Sequence, residues 1–182
     1  MKKLLQTLPL MVLAAGTPAL AHEFHTSKEG REEHIQIVEE LNRAGIQFLV
    51  NEPEYCDNGH LGVYYPYRSL IVVCQEDAIL WNGSAVRFSA EDLDTLRHEA
   101  LHVAQDCKDG QMTGTLDVIT DQDDLVQLVS RFGVDKMKRI IAQYEQAGAS
   151  PRVQLAEIEA WAVSAELPAQ YVVESLRFYC NN

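Results

Sequence analysis

The chain has 182 residues, 47% of them hydrophobic, with a formal net charge of −12 at pH 7. Its length and apolar content suit one globular domain with a sizeable buried core. The acidic balance argues against nucleic acid or an anionic membrane surface as partner.

The chain opens as an export signal. Lys2-Lys3 is a short basic start, residues 4–15 are largely apolar, and Ala19-Leu20-Ala21 matches a small-x-small cleavage site. This pattern is that of a secretory signal peptide of bacterial type, cut after Ala21. An uncleaved anchor is the alternative, but the apolar run is short for a membrane span. Residues 22–182 are expected to form a single mature domain with no stable membrane insertion. Removing 21 residues leaves 161. The signal takes two lysines and no acids with it, so 13 basic and 27 acidic residues remain, a net charge of −14. The expected location is the periplasm or the extracellular medium. Cleavage would also make His22 the terminal residue, with His25 nearby. A terminal amine plus imidazole can bind copper, though a solvated N-terminus is the simpler reading.

Residues 29–44 read as an amphipathic helix with Ile35, Ile37, Val38 and Leu41 as its apolar positions. Residues 46–50 read as a strand. Residues 62–65 and 69–74 read as a hairpin around Pro66-Tyr67-Arg68. Asn82-Gly83-Ser84 reads as a turn. Ser89-Ala90-Glu91-Asp92 is a helix start signal, and the apolar spacing beyond it predicts a helix over residues 90–107, ending before Gly110. Thr120 with Asp123 is a second capping signal, with Gly133 ending that helix. Residues 135–146 form the next helix. Ser150-Pro151 opens another, over 151–166. Leu167-Pro168 interrupts, and a last helix reaches Cys180. The expectation is an α+β fold, mostly helical, with a small sheet or hairpin before the 90–107 helix.

His98-Glu99-Ala100-Leu101-His102 lies in the middle of that helix. Positions i and i+4 share one helix face, about one turn apart, so two imidazoles can hold one Zn2+. The glutamate between them stands beside the ion's open position, where it can act as general base toward a water. A third protein ligand is required. Glu157-Ile158-Glu159-Ala160-Trp161, on the 151–166 helix, supplies two candidates.

Here the chain resembles the gluzincin metallopeptidases, in which H-E-x-x-H is completed by a glutamate on a later helix and followed three residues on by alanine. The resemblance places Glu157 at the third ligand and Ala160 at the small residue that lets the two helices approach. Trp161 stands where some families carry an aspartate that hydrogen-bonds a ligand histidine, so the usual partner is in question. Glu157 and Glu159 lie about 200° apart around a helix, so only one can face the metal. The mostly apolar face that includes the 157 side favours Glu157, with Glu159 as the rival. The resemblance implies a zincin-like domain with His98, His102 and Glu157 as metal ligands, Glu99 as catalytic base and a peptide or protein as substrate. In many zincins an edge strand of the small sheet holds an extended substrate. Residues 70–73 are the candidate for that strand, with an ordinary buried strand as the alternative.

The remaining candidates carry weaker signals. Tyr144 and Tyr171 can each donate to an oxyanion, and Arg97 beside the first histidine can do similar work. Each also reads as an ordinary helix residue. His34 and His60 read as surface or partly buried histidines. Four cysteines remain after export, and an even number in an exported protein points to disulfides. Four allow three connectivities. Local organisation favours Cys56–Cys74 and Cys107–Cys180. The sequence therefore reads as a secreted zinc-dependent metallopeptidase. A non-enzymatic exported protein with a structural or vestigial metal site is the alternative.

Overall fold

The structure is a computed structural model that describes residues 10–13, 28–56, 59–75, 88–108, 110 and 113–181. The histidines at 22 and 25, the turn at Asn82-Gly83-Ser84 and the expected cleavage site lie outside these residues. The fold is α+β and mostly helical, as the periodicity predicts.

In chain order the elements are β1 (Leu10–Leu13), α1 (Lys28–Arg43), β2 (Gln47–Val50), the single turn α2 (Pro53–Cys56), β3 (His60–Tyr65) and β4 (Leu70–Val73). The helices α3 (Ala90–Lys108), α4 (Gln122–Phe132), α5 (Val134–Gln146), α6 (Pro151–Glu166) and α7 (Ala169–Cys180) follow. Ile37 and Leu41 bury the inner face of α1, whereas Ile35 is 53% exposed and stands off the expected apolar stripe. Gly45 stops α1. Its φ of +76° is open to glycine at no steric cost, and it lets the Ile46 N–H return to the Leu41 carbonyl.

The sheet runs in the order β1-β3-β4-β2. β3 and β4 are the expected hairpin, antiparallel, with Gly62 opposite Val73 and Tyr65 opposite Leu70. A 3-10 turn over Pro66–Arg68 joins them. β2 pairs with β4 in parallel, from Gln47 with Leu70 to Val50 with Val73. The strand over residues 70–73 is therefore interior. Neighbours flank it on both sides, and all four of its residues are buried. It has no free edge to offer an extended ligand. Four consecutive apolar residues are what a strand covered on both faces requires. Residues 10–13, inside the expected signal segment, pair antiparallel with β3 on its other edge.

The two faces of the sheet have separate tasks. Tyr64, Ile71 and Val73 join the main core beneath α3. Val63, Leu70, Val72 and Cys74 form a smaller cluster with Leu49, Tyr55 and Cys56 on the other face. The disulfide Cys56–Cys74 fastens α2 to that outer face. A second disulfide, Cys107–Cys180, ties the end of α3 to the end of α7. Both pairings are those that local organisation favours in the sequence.

The central element is α3, which packs against α1, α6, α7, β3 and β4. Its start is a capping box: the Asp92 N–H donates to Ser89 Oγ, and the Ser89 N–H donates back to Asp92 Oδ2. The cap of α4 is Asp121, whose side chain accepts from the Asp123 N–H. Thr120, the residue the sequence suggested, instead shares a hydrogen bond with the Tyr171 hydroxyl.

Candidate metal centre

The middle of α3 is polar, yet it is deeply buried. His98, Glu99, His102, Gln105 and Asp106 are each at most 2% exposed. Burying such groups costs several kcal/mol each unless they find partners. Tracing the partners therefore locates the site.

Two of the five are fully engaged. Asp106 accepts from the Tyr64 hydroxyl on β3 at 2.8 Å. Its other oxygen accepts from the Thr113 hydroxyl and the N–H groups of Gly114 and Thr115. Gln105 is 2.7 Å from His102 Nδ1 through its amide oxygen. Its amide nitrogen donates to the Ala156 carbonyl at 3.0 Å and to Glu159 Oε2 at 2.7 Å.

The other polar atoms converge on one point. His98 Nε2 and His102 Nε2 are 3.1 Å apart. Glu157, reaching across from α6, lies 3.2 Å from His98 Nε2 through Oε2 and 3.5 Å from His102 Nε2 through Oε1. Ligands held about 2.0–2.1 Å from one tetrahedral ion stand about 3.3 Å apart. The three side chains fit a zinc ion on that criterion. Among the described residues, this is the one group of three or more histidine, cysteine or acidic side chains gathered closely enough to hold a metal. Ala156 and Ala160, both fully buried, allow α6 to lie close against α3.

Glu159 points elsewhere. Besides Gln105, it accepts the N–H groups of Ile119 and Thr120. It is a buried anchor for the chain that leads into α4, not a member of the convergent group. Trp161 meets the first histidine edge-on, with ring centroids 5.0 Å apart. His98 Nδ1 has no hydrogen-bond partner. An aromatic wall thus replaces the carboxylate that the resemblance would put beside that histidine.

Both oxygens of Glu99 also lack a hydrogen-bond partner. Burial, opposed by the nearby His102 and reinforced by Glu157, raises the Glu99 carboxyl to about 8. Burial alone would depress His102. The charges of Glu157 and Glu99, with hydrogen bonds to Glu157 and Gln105, lift it to about 9. Glu157 is driven upward by burial but held at about 2 by the two histidines. His98 is lowered, chiefly by burial.

The structure separates the two tyrosine candidates. The Tyr144 hydroxyl on α5 is buried without a hydrogen-bond partner. Burial, and then the charge of neighbouring Glu157, keep it protonated far above the ordinary tyrosine range. Tyr171 is engaged with Thr120, on the Glu159 side. Arg97 is buried and paired with Asp94 on its own helix, so it is not directed at the convergent group. His34 is buried and His60 partly exposed, and neither joins the group.

The sequence reading passed over Gln105, Asp106 and Gly62. The first two had a visible signal: polar residues three and four positions beyond His102 extend the buried face of α3, where an amphipathic helix would carry apolar ones. Gly62 faces that helix from β3. It had no such signal, because its role depends on which strand lies over α3.

The model of one protein family matches residues 24–181, nearly the whole chain beyond the expected signal. The chain belongs to that family, described as domain of unknown function DUF8637. No curated protein and no solved structure matches it.

Proposed function

We propose that this protein is an exported zinc-dependent hydrolase, a metallopeptidase of gluzincin-like design. One observation carries the reading. Three buried side chains aim electron-rich atoms at a common point at 3.1–3.5 Å spacing, beside a buried carboxylate that nothing else uses. Such atoms repel one another unless a cation or a proton stands between them.

His98, His102 and Glu157 would hold the zinc. When bound, zinc would polarise a substrate carbonyl and acidify a water in its open position. Glu99 takes the proton from the attacking water and passes it to the departing amine. Burial raises Glu99 and so makes its carboxylate the stronger base, while the charge of a bound dication beside it would favour the deprotonated form that the role requires. The buried Tyr144 hydroxyl, beside Glu157, supplies a donor to the developing oxyanion.

A peptide is favoured over other amides because β3 already accepts an antiparallel strand, residues 10–13, on the edge away from β4. Loss of those residues with the signal would leave that edge open to an extended backbone. Export is supported by the two disulfides.

The competing reading is a non-enzymatic protein with a structural metal. Deep burial of the group favours it. Against it, structural zinc sites are closed by four protein ligands, and this group has three. A structural site would also give Glu99 no reason to be buried unpaired. Elemental analysis of the mature protein tests the reading, together with zinc-dependent cleavage of unstructured proteins and cell-wall peptides. About one zinc per chain and cleavage abolished by chelation are expected. No zinc and no zinc-dependent stabilisation would overturn it.

A further inference from the structure

We infer that Glu159, which does not touch the convergent group, fixes the ring of His102 as a metal ligand by acting through Gln105. The inference rests on the metal-site reading above. It makes Glu159 and Gln105 positioning residues.

The argument is one of hydrogen-bond direction. An amide side chain can be turned either way, and its neighbours decide which. The Gln105 side-chain nitrogen lies 3.0 Å from a carbonyl, that of Ala156, and 2.7 Å from a carboxylate oxygen of Glu159. Both are acceptors, so the amide nitrogen must face them and both its hydrogens are used. The amide oxygen must then face His102 Nδ1, 2.7 Å away. An oxygen there can only accept, so Nδ1 carries the hydrogen. In the neutral ring that leaves Nε2 bare, aimed at His98 and Glu157. Of the residues in this chain of contacts, only Glu159 enforces the direction by charge. It does so while also holding Ile119 and Thr120. The ligand tautomer and the chain leading into α4 thus share one anchor on α6.

Side-chain partners of ligand histidines are generally worth about 10–100-fold in metal affinity. Glu159→Gln keeps the shape, but the Ile119 and Thr120 N–H groups would hold its amide oxygen and turn its nitrogen toward Gln105, leaving the Ala156 carbonyl alone to resist a flip of the Gln105 amide. A turned Gln105 would offer hydrogens to Nδ1 and put the ring hydrogen on Nε2. Gln105→Glu sets two carboxylates against each other. The double variant Gln105→Glu with Glu159→Gln restores an acceptor facing His102 and a donor between the two side chains, and leaves only the Ala156 carbonyl facing an unmatched oxygen.

The test measures Co2+ and Zn2+ affinity of the folded, disulfide-intact mature protein by chelator competition, with the cobalt absorption spectrum as a report on ligand geometry. Nitrogen NMR of the His102 ring in the zinc-loaded protein reports the tautomer. Wild type is expected to bind with Nδ1 protonated. Glu159→Gln should bind at least tenfold more weakly while remaining folded by circular dichroism. Gln105→Glu should lose more, and the double variant should recover a measurable part of that loss with the wild-type cobalt spectrum. Wild-type affinity in Glu159→Gln, or a double variant no better than Gln105→Glu, overturns the inference and leaves the metal site standing. If Gln105→Glu does not fold, Glu159→Gln and the ring tautomer decide. A wild type that binds neither metal removes both the inference and the reading it rests on.

Discussion

Gly62 on β3 lies directly against Glu99 on α3. A Cβ at Gly62 would come within 3.1 Å of Glu99 Cγ and 3.3 Å of Glu99 Oε1, and within 2.4 Å of Thr95 Cγ2. The strand can approach the helix at the carboxylate only because residue 62 has no side chain. Gly62→Ala should therefore act twice. Overpacking should cost about 1–3 kcal/mol of stability. Displacement of Glu99 should lower kcat while the zinc content stays at the wild-type level. Thr95→Ser removes the methyl in the worst contact. In the double variant, stability by urea unfolding should return toward wild type while kcat stays low. Recovery of kcat together with stability would show that Gly62 matters for packing alone.

The parts of this site that follow local rules were legible in the sequence. Histidines four apart on a capped helix must share a face, so α3 could be placed within a residue of its observed end. Residues two apart on a helix cannot face the same way, and the mostly apolar face on the 157 side favoured Glu157 over Glu159. The disulfides followed from proximity within a hairpin unit and between two helix ends. What was not legible depends on tertiary neighbours. A run of four apolar residues at 70–73 cannot reveal whether a strand is central or at an edge, and the parallel partner Gln47–Val50 makes it central. Thr120 and Asp121 are both good caps by composition. Tyr171, 51 positions away, takes Thr120. The task of Glu159 depends on Gln105, 54 positions earlier.

Glu99 and Glu157 should separate under the same conservative change. Glu99→Gln keeps the shape and removes the proton acceptor, so zinc content and Tm should stay near wild type while hydrolysis falls ~10²–10⁴-fold. The variant should even gain slightly in metal-free stability, because a buried carboxylate without a partner is lost. Glu157→Gln converts a ligand into a neutral amide, so metal and activity should disappear together. Plasma emission for zinc and turnover on one substrate suffice for the comparison. Full activity in Glu99→Gln would rule out the general-base role.

The two disulfides should differ in what they protect. Cys107–Cys180 closes a separation of 73 residues, Cys56–Cys74 one of 18. Loop-closure entropy assigns about 4 kcal/mol to the first and about 3 kcal/mol to the second. The larger effect on the metal should also come from the first, because Cys107 directly follows Gln105-Asp106 on α3. Paired alanine substitutions, compared by urea unfolding and zinc affinity, should rank in that order on both measures. Equal loss of zinc affinity in the two variants would contradict the link to α3.

Acidity should narrow the stability difference between the zinc-loaded and metal-free proteins. In the metal-free protein His102 is raised to about 9, above its unfolded value of 6.5. Its contribution to stability is fully present below pH 6.5 and is lost as pH rises through 9. Glu99 is raised to about 8, above its unfolded value of 4.5. Folding favours its protonated form, so its contribution also drains away as pH rises through 8. Glu157, held at about 2, is already charged, and lowered His98 is already neutral across this range. Both moving groups therefore carry the same sign between pH 6.5 and about 8, and His102 alone carries it on to about 9, so Tm in the presence of a chelator should fall across that range. Zinc requires the deprotonated His102 ring, so binding must displace that proton. Apparent affinity should climb as pH rises toward 9, and the rise in Tm on adding zinc should grow with it. Thermal unfolding at three pH values, with chelator and with excess zinc, should give two curves that diverge toward high pH. Parallel curves would mean that no proton leaves the site when the metal enters. That outcome would mean that the His102 ring is already neutral before the metal enters.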